Sequence, residues 1–273
     1  FPTVAFPNPE EPGAIDLALE TARSFDAHLV IANDPDADRC AAAVKDPATG
    51  WRMLRGDELG AILGESIARK TNSGIFANSI VSSSILKKIA EHYQLEFKET
   101  LTGFKWLAKI KDLTFGYEEA LGYAVDAKTV NDKDGISAAV VIVAMVAELK
   151  EKGLSVNEYL EKIGQEYGFH LTDQISLRFT DLKQIEQLLN KVIDQPPAVL
   201  SGHTLVSKEN LIQSKLMPTP GIRLKYENDI RVIIRPSGTE PKLKCYIEVV
   251  AASKNEAESL ISQIKQALTK VLT

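Results

Sequence analysis

Apolar runs and polar breaks alternate along this chain at spacings that predict regular elements. Between Gly13 and Asp26, the residues Ile15, Leu17, Ala18, Leu19 and Ala22 recur at helical spacing behind Pro12, which suits a first helical turn. Residues 28–32 are a short run rich in branched side chains that opens into polar 33–39. This is the pattern of a buried strand ending in a loop, and 40–44 resumes as strand before a turn at 46–50. Further on, the pattern predicts helix over 58–70, strand over 75–81, helix over 83–93, strand over 95–100, helix over 104–110 and strand over 113–117. Strand and helix in regular succession imply an α/β unit with mostly parallel pairing. Helices at about 134–152 and 156–166 follow, the second capped by Ser155, and Gly168 closes the module.

The tail is patterned differently. Residues 170–179 alternate like a strand, 182–193 form an amphipathic helix, and Pro196-Pro197 breaks it. A hairpin is predicted from 222–226 and 231–235 about Glu227-Asn228-Asp229, then a strand over 243–251 and a last amphipathic helix over 255–272. This predicts a compact α+β domain.

Composition narrows the class. The chain has 273 residues, 44% apolar and 25% charged, so it can bury real cores. Its net charge of −5 shows no basic excess of the kind a nucleic-acid footprint needs. Two cysteines, Cys40 and Cys245, without a CxxC pair argue against a disulfide scaffold or a Cys-ligated metal and fit a reducing cytoplasm. The longest apolar stretch, 136–149, is too short to span a bilayer. The start at Phe1, with no Met and no leader pattern, reads as a chain cut from something longer.

Chemistry concentrates in a few loops. Asp34, Asp36 and Asp38 repel one another unless a positive charge lies between them, and a hard divalent cation such as Mg²⁺ is their natural partner. The spacing also matches the first positions of a calcium EF-hand, but Arg39 stands where that loop needs Gly and Lys45 where it needs a bidentate Glu. Arg39 supplies a planar fork suited to a phosphoryl group. An exposed Asp-rich turn is the plain alternative. Residues 235–242 (RPSGTEPK) combine Arg, two hydroxyls, a Gly and a Lys between apolar strands, as an anion cradle requires, although a simple hairpin turn would look similar. Residues 116–123 put adjacent acids at a strand end, where α/β sheets bind ligands, while paired Glu is also ordinary chemistry at a helix start. Lys105 and Lys133 stand at helix entrances, where a solvated surface role is the plain reading.

Taken in order, DPDADR (34–39), TGFKW (102–106), GYEEALG (116–122), KDG (133–135) and RPSGTEPK (235–242) resemble the α-D-phosphohexomutase family, the phosphoglucomutases and phosphomannomutases. The resemblance covers essentially the whole chain, including FPNPEEPG (6–13). It implies a four-domain enzyme of three α/β domains and a smaller α+β fourth. This chain would hold the end of the second domain with the metal loop (1–50), the α/β third with the sugar loop (51–168), and the α+β fourth with an antiparallel sheet and a phosphate loop (169–273).

By the same resemblance, Asp34, Asp36 and Asp38 are the Mg²⁺ ligands, with Arg39 facing the transferring phosphoryl group and Lys133 the active-site lysine. Thr102, Gly103, Phe104, Lys105 and Glu118 would contact the sugar, and Arg235, Ser237, Gly238 and Thr239 the phosphate that is not transferred. Ala120 departs from the family, which usually has Ser there.

The implied reaction interconverts hexose 1-phosphate and hexose 6-phosphate through a phosphoserine, with hexose 1,6-bisphosphate as intermediate and activator. The Ser-His-Asn-Pro motif of that serine does not occur in this chain. The expectation is therefore a part of a cytoplasmic mutase, inactive alone, whose partners are a phosphohexose and the missing N-terminal domains. A non-catalytic phosphosugar- or Mg²⁺-binding fragment is the alternative. A haloacid-dehalogenase-type phosphatase fits poorly, because Asp38 stands where its Thr is usual and Ala61 where its second acid should follow Asp57.

Overall fold

The computed structural model describes residues 4, 7–48, 50–214, 218–238 and 240–273. The chain divides into two compact units, 1–163 and 164–273.

The first unit opens with helix α1 (Asp16–Ser24) and an antiparallel sheet of β1 (Leu29–Asn33), β2 (Cys40–Asp46) and β3 (Gly50–Met53), in the order β1-β2-β3. Cys40 and its Ala41–Val44 neighbours are buried, because β2 is the middle strand. Next come α2 (Gly56–Ala68), β4 (Ile75–Ser79), α3 (Ile85–His92), β5 (Glu96–Thr100), β6 (Leu113–Glu118) and β7 (Gly122–Ala124). They build a four-stranded sheet in the order β5-β4-β6-β7. β4 pairs parallel with both β5 and β6, and β7 returns antiparallel on β6. The parallel pairing read from the alternation is thus present, with one antiparallel edge. Helix α2 is buried along nearly its whole length because it packs on α3, β6 and α4 (Gly135–Glu151). Phe76 and Phe115 meet edge to face at 5.5 Å, and Tyr117 and Tyr123 stack at 6.2 Å. Helix α5 (Val156–Tyr167) leads from the first unit into the second.

The second unit carries β8 (Phe169–Arg178), α6 (Leu182–Asp194), β9 (Val199–Leu200), β10 (His203–Asn210), a 3-10 turn at Leu211–Gln213, β11 (Ile222–Tyr226), β12 (Ile230–Pro236), β13 (Lys242–Ala251) and α7 (Lys254–Leu272). Its six strands run antiparallel in the order β8-β13-β12-β11-β10-β9. Ile185, Leu189 and Val192 of α6 and Ile261, Ile264 and Leu268 of α7 bury against the sheet, so the amphipathic stripes of both helices find one core. This is the expected α+β domain with an antiparallel sheet. Within it, Glu248 on β13 accepts an ion pair from Arg231 at 2.8 Å and faces His170 Nδ1 at 3.2 Å.

One predicted helix is corrected. Residues 104–110 form successive turns, with Trp106 N donating to Gly103 O, Ala108 N to Phe104 O and Ile110 N to Leu107 O. Phe104 and Leu107 bury into the sheet core while Lys105 and Lys109 stay exposed, so the segment anchors at two points instead of along a helical stripe.

Candidate functional site

The loop after β1 is shaped by its own first carboxylate. Asp34 O accepts from Ala37 N at 2.9 Å, its Oδ1 accepts from Arg39 N at 3.1 Å, and its Oδ2 lies 3.4 Å from Arg39 Nε. Ala37 takes a positive φ of 56° to close the turn. Asn33 Nδ2 donates to Arg39 O at 2.6 Å from the preceding strand.

The loop is also held from outside. Cys40 N donates to Leu121 O at 3.0 Å, Arg39 bridges Gly122 of β7, and Gly135 N donates to Ala37 O at 3.1 Å. Asp134 caps α4 by accepting from Ile136 N and Ser137 N. Gly135 is needed for close approach: a Cβ there would stand 2.2 Å from Arg39 O and 2.5 Å from Asn33 Nδ2. Lys133, one residue before the cap, makes an ion pair with Asp38 Oδ2. The other oxygen, Asp38 Oδ1, is buried and has no hydrogen-bond partner among the described residues.

The turn between β6 and β7 sits beside this loop. Glu118 Oε1 accepts from Gly103 N at 2.5 Å, which joins the 102–106 segment to the paired acids. Gly103 has φ 106°, where a side chain would be strained. Glu119 turns to the end of β4, and its Oε2 accepts from Ser79 Oγ at 3.1 Å and Ser82 Oγ at 3.0 Å. Burial, with Glu118 as a lesser cause, raises the Glu119 carboxyl above the ordinary range despite those hydroxyls. Asp57, at the start of α2, accepts from Ser83 N at 2.7 Å and Tyr117 OH at 2.9 Å, and Tyr123 OH donates to Gly56 O at 3.0 Å. These bonds fix the turn against the helix.

The first unit therefore brings together Asp34, Asp36, Asp38, Arg39, Lys133, Gly103 and Glu118, with Phe104 buried and Thr102 half-buried alongside. Lys105 is exposed, with its ammonium 5.6 Å from the Trp106 ring centre. The three aspartates are close in sequence, yet no three acid, His or Cys side chains gather into a metal-holding group among the described residues. Asp34 is engaged by Arg39, Asp38 by Lys133, and Asp36 is exposed. The oxygen-only donor set and the unpartnered Asp38 Oδ1 nevertheless suit a hard cation.

In the second unit, the loop between β12 and β13 carries Arg235, Ser237 and Gly238, and Thr239 lies outside the described residues. Ser237 N donates to Lys242 O at 2.8 Å, and Lys242 pairs with Glu240 at 2.7 Å, which holds the Glu240 carboxyl below its usual range. Gly238 is open, with nothing within 4 Å of where a Cβ would stand.

Both cysteines are buried thiols. Burial pushes Cys40 up to about 12 and Cys245 higher still, so neither is a ready nucleophile at neutral pH. The sequence pattern does not single out Asn33 or Ser79, and it raises Asp57 only in a dehalogenase comparison and Ser82 only as a substitute for the phosphoserine. Asn33 closes the strand before the aspartates, and Ser79 and Ser82 flank the end of an apolar run, which is the signal they carried. No described helix is long and apolar enough to cross a membrane.

Comparison with known proteins gives a consistent result. Sequence models described as phosphoglucomutase/phosphomannomutase match residues 1–50 (alpha/beta/alpha domain II), 55–167 (alpha/beta/alpha domain III) and 175–267 (C-terminal domain). A Haemophilus influenzae protein named "Probable phosphomannomutase" is 41% identical over 274 residues, covering 100% of this chain and 56% of that protein. A Homo sapiens phosphopentomutase is 33% identical over 309 residues, covering 99% and 50% respectively. The Paramecium phosphoglucomutase parafusin, in its open form, superposes with a TM-score of 0.73 at 19% identity over 97% of this chain and 49% of its own. The chain thus spans about half the length of the curated relatives it matches.

Proposed function

This chain belongs to the phosphoglucomutase/phosphomannomutase family, and we propose that it is the part of a sugar-phosphate mutase that holds the metal, the sugar and the phosphate that stays in place. The observation that carries this reading is convergence. Three motifs distant in sequence, 34–39, 116–122 and 133–135, are joined backbone to backbone at one place, with 102–106 tied in through Glu118.

On this reading Asp34, Asp36 and Asp38 hold Mg²⁺, which when bound supplies positive charge to the transferring phosphoryl oxygens. Arg39, its Nε turned to Asp34 and its side chain 37% exposed, presents the rest of its guanidinium to that phosphoryl group. Glu118, fixed by Gly103 N, accepts from sugar hydroxyls beside Thr102, Phe104 and Lys105. Lys133 contributes a second cation close to the transfer. Arg235, which has no ion-pair partner among the described residues, grips the distal phosphate with Ser237, Gly238 and Thr239. The transfer itself relies on positioning and preorganised charge. The serine that carries the phosphoryl group, and the chemistry of turnover, are assigned to the remaining half of the protein. A cytoplasmic setting and hexose 1,6-bisphosphate as the activating intermediate belong to the same proposal.

Hexose phosphate is the preferred substrate class. A pentose phosphate is the second reading, favoured by the phosphopentomutases among the relatives and by Ala120, which supplies no hydroxyl to the sugar.

Calorimetric titration tests the assignment. The chain with Mg²⁺ is expected to bind glucose 1,6-bisphosphate more tightly than ribose 1,5-bisphosphate, and Glu118→Ala to lose the sugar-dependent part of the heat. Binding of neither sugar phosphate would reduce the chain to a structural fragment. Isomerisation of glucose 1-phosphate by the chain alone would overturn the assignment of the serine to the other half.

A further inference from the structure

The Lys133 ammonium does not project freely into the site. It is paired to Asp38 Oδ2, and both side chains are about a quarter exposed, at 27% and 28%. The same carboxylate keeps its second oxygen buried and without a hydrogen-bond partner among the described residues. One oxygen of Asp38 is thus taken by a monovalent cation while the other is a buried acceptor without a partner among the described residues. The lysine stem is placed to choose: a Cβ at Gly122 would lie 3.1 Å from Lys133 Cδ and 3.5 Å from Phe104 Cδ2. The stem therefore lies against the start of β7, near Phe104 of the 102–106 segment, with its ammonium on the aspartate loop. Gly135 N on Ala37 O holds the base of the lysine and the aspartate loop at a fixed spacing.

From this geometry we infer that Lys133 and a divalent cation are alternative partners of Asp38, so that metal binding frees the lysine toward the side where the anionic substrate is held. The inference rests on the proposed reading of 34–38 as a cation loop. Two cations cannot share one half-buried carboxylate without strong mutual repulsion, and the divalent ion gains more from both oxygens than the ammonium does from one. Lys133 would keep Asp38 neutralised until the metal arrives, and would then add its charge to the phosphoryl side. In that role it is a positioning residue for the metal and a substrate contact in turn.

Two measurements on the 273-residue chain test this. The first is Mg²⁺ and Mn²⁺ affinity by calorimetry for the unaltered chain, Lys133→Met, Lys133→Arg and Asp38→Asn. Lys133→Met is expected to bind the cation about tenfold more tightly, Lys133→Arg about as the unaltered chain, and Asp38→Asn at least about tenfold more weakly. The second is the rate at which Lys133 is acetylated by a water-soluble reagent, read by mass spectrometry. It is expected to rise several-fold on adding Mg²⁺ to the unaltered chain, and to be high with or without Mg²⁺ in Asp38→Asn.

If the unaltered chain binds the cation, yet Lys133→Met binds it no better and acetylation ignores Mg²⁺, the competition is wrong while the metal reading stands. If neither the unaltered chain nor Lys133→Met binds a cation, the metal reading itself falls and the inference with it. Should Lys133→Met fail to fold, acetylation of the unaltered chain decides.

Discussion

The 34–39 loop and the 235–242 loop carry similar side chains, an arginine among oxygen-bearing residues, but they are held in place by different means. The first is a junction: β1 donates to it through Asn33, the β6–β7 turn accepts from Cys40 N through Leu121 beside the Arg39–Gly122 bridge, and the start of α4 donates through Gly135. The second is the end of one hairpin, closed by Ser237 N to Lys242 O and by the Lys242–Glu240 pair. Among the described residues it is tied only on its β13 side to the end of β8, where Phe179 N donates to Pro241 O and Arg178 pairs with Glu240. Their glutamates show the same contrast. Glu119, beside the first loop, is half-buried and raised, whereas Glu240, in the second, is exposed and lowered by Lys242. A loop made from several elements has its shape tied to the stability of the whole unit. A loop at a hairpin tip can change with little effect on the sheet beneath it.

Substitutions can break that contrast. The largest effect is expected for Gly135→Ala, whose Cβ would meet the backbone oxygen of Arg39 and the Asn33 amide. A loss of about 3 kcal/mol in urea unfolding, together with loss of cation binding, is the expected outcome. An unchanged midpoint would show that the junction yields. Asn33→Ala leaves Arg39 O without its 2.6 Å donor and should cost about 2 kcal/mol in the same assay.

The pH dependence of melting probes Glu119. Its folded pKa is raised above the ordinary 4.5, so the folded chain holds the proton to higher pH than the unfolded chain does. The stability it contributes is full below the unfolded value and is lost as pH rises through the folded one. Melting temperatures of the unaltered chain should therefore fall more between pH 4.5 and neutrality than those of Glu119→Gln. Parallel curves would mean that Glu119 ionises as an ordinary surface acid. The smallest effect belongs to the hairpin loop. Gly238→Ala places its methyl in open space and should change stability by less than about 0.5 kcal/mol, while weakening inorganic phosphate binding seen by calorimetry. A large stability loss there would end the distinction between the two loops.

Much of this was legible in the residues because the signals were local. Strand β1 running into Asp34, the amphipathic stripes of α6 and α7, and the β11–β12 hairpin all follow from periodicity. What escaped has physical reasons. β7 and β9 are three and two residues long, too short for a period to register. β10 is largely exposed, so its sequence HTLVSKEN lacks an apolar face. The turns at 104–110 imitate a helix because Phe104 and Leu107 bury three residues apart. At the site, the acids and cations could be read from charge alone. Their pairing could not, since nothing local says that Lys133 meets Asp38 or that Glu119 turns back to Ser79 and Ser82.

The bridge from Arg39 to Gly122, with Cys40 N on Leu121 O, also bears on how the chain can vary in length. Because it joins the loop after β1 to the turn after β6 at a set register, an inserted or deleted residue in 34–39 would displace either β2 or the hairpin. Insertions and deletions should therefore be excluded from both segments together. In the 235–242 loop the ties to another element among the described residues, Phe179 N on Pro241 O and Arg178 with Glu240, lie on its β13 side, so variants of different length would be accommodated at its tip near Gly238.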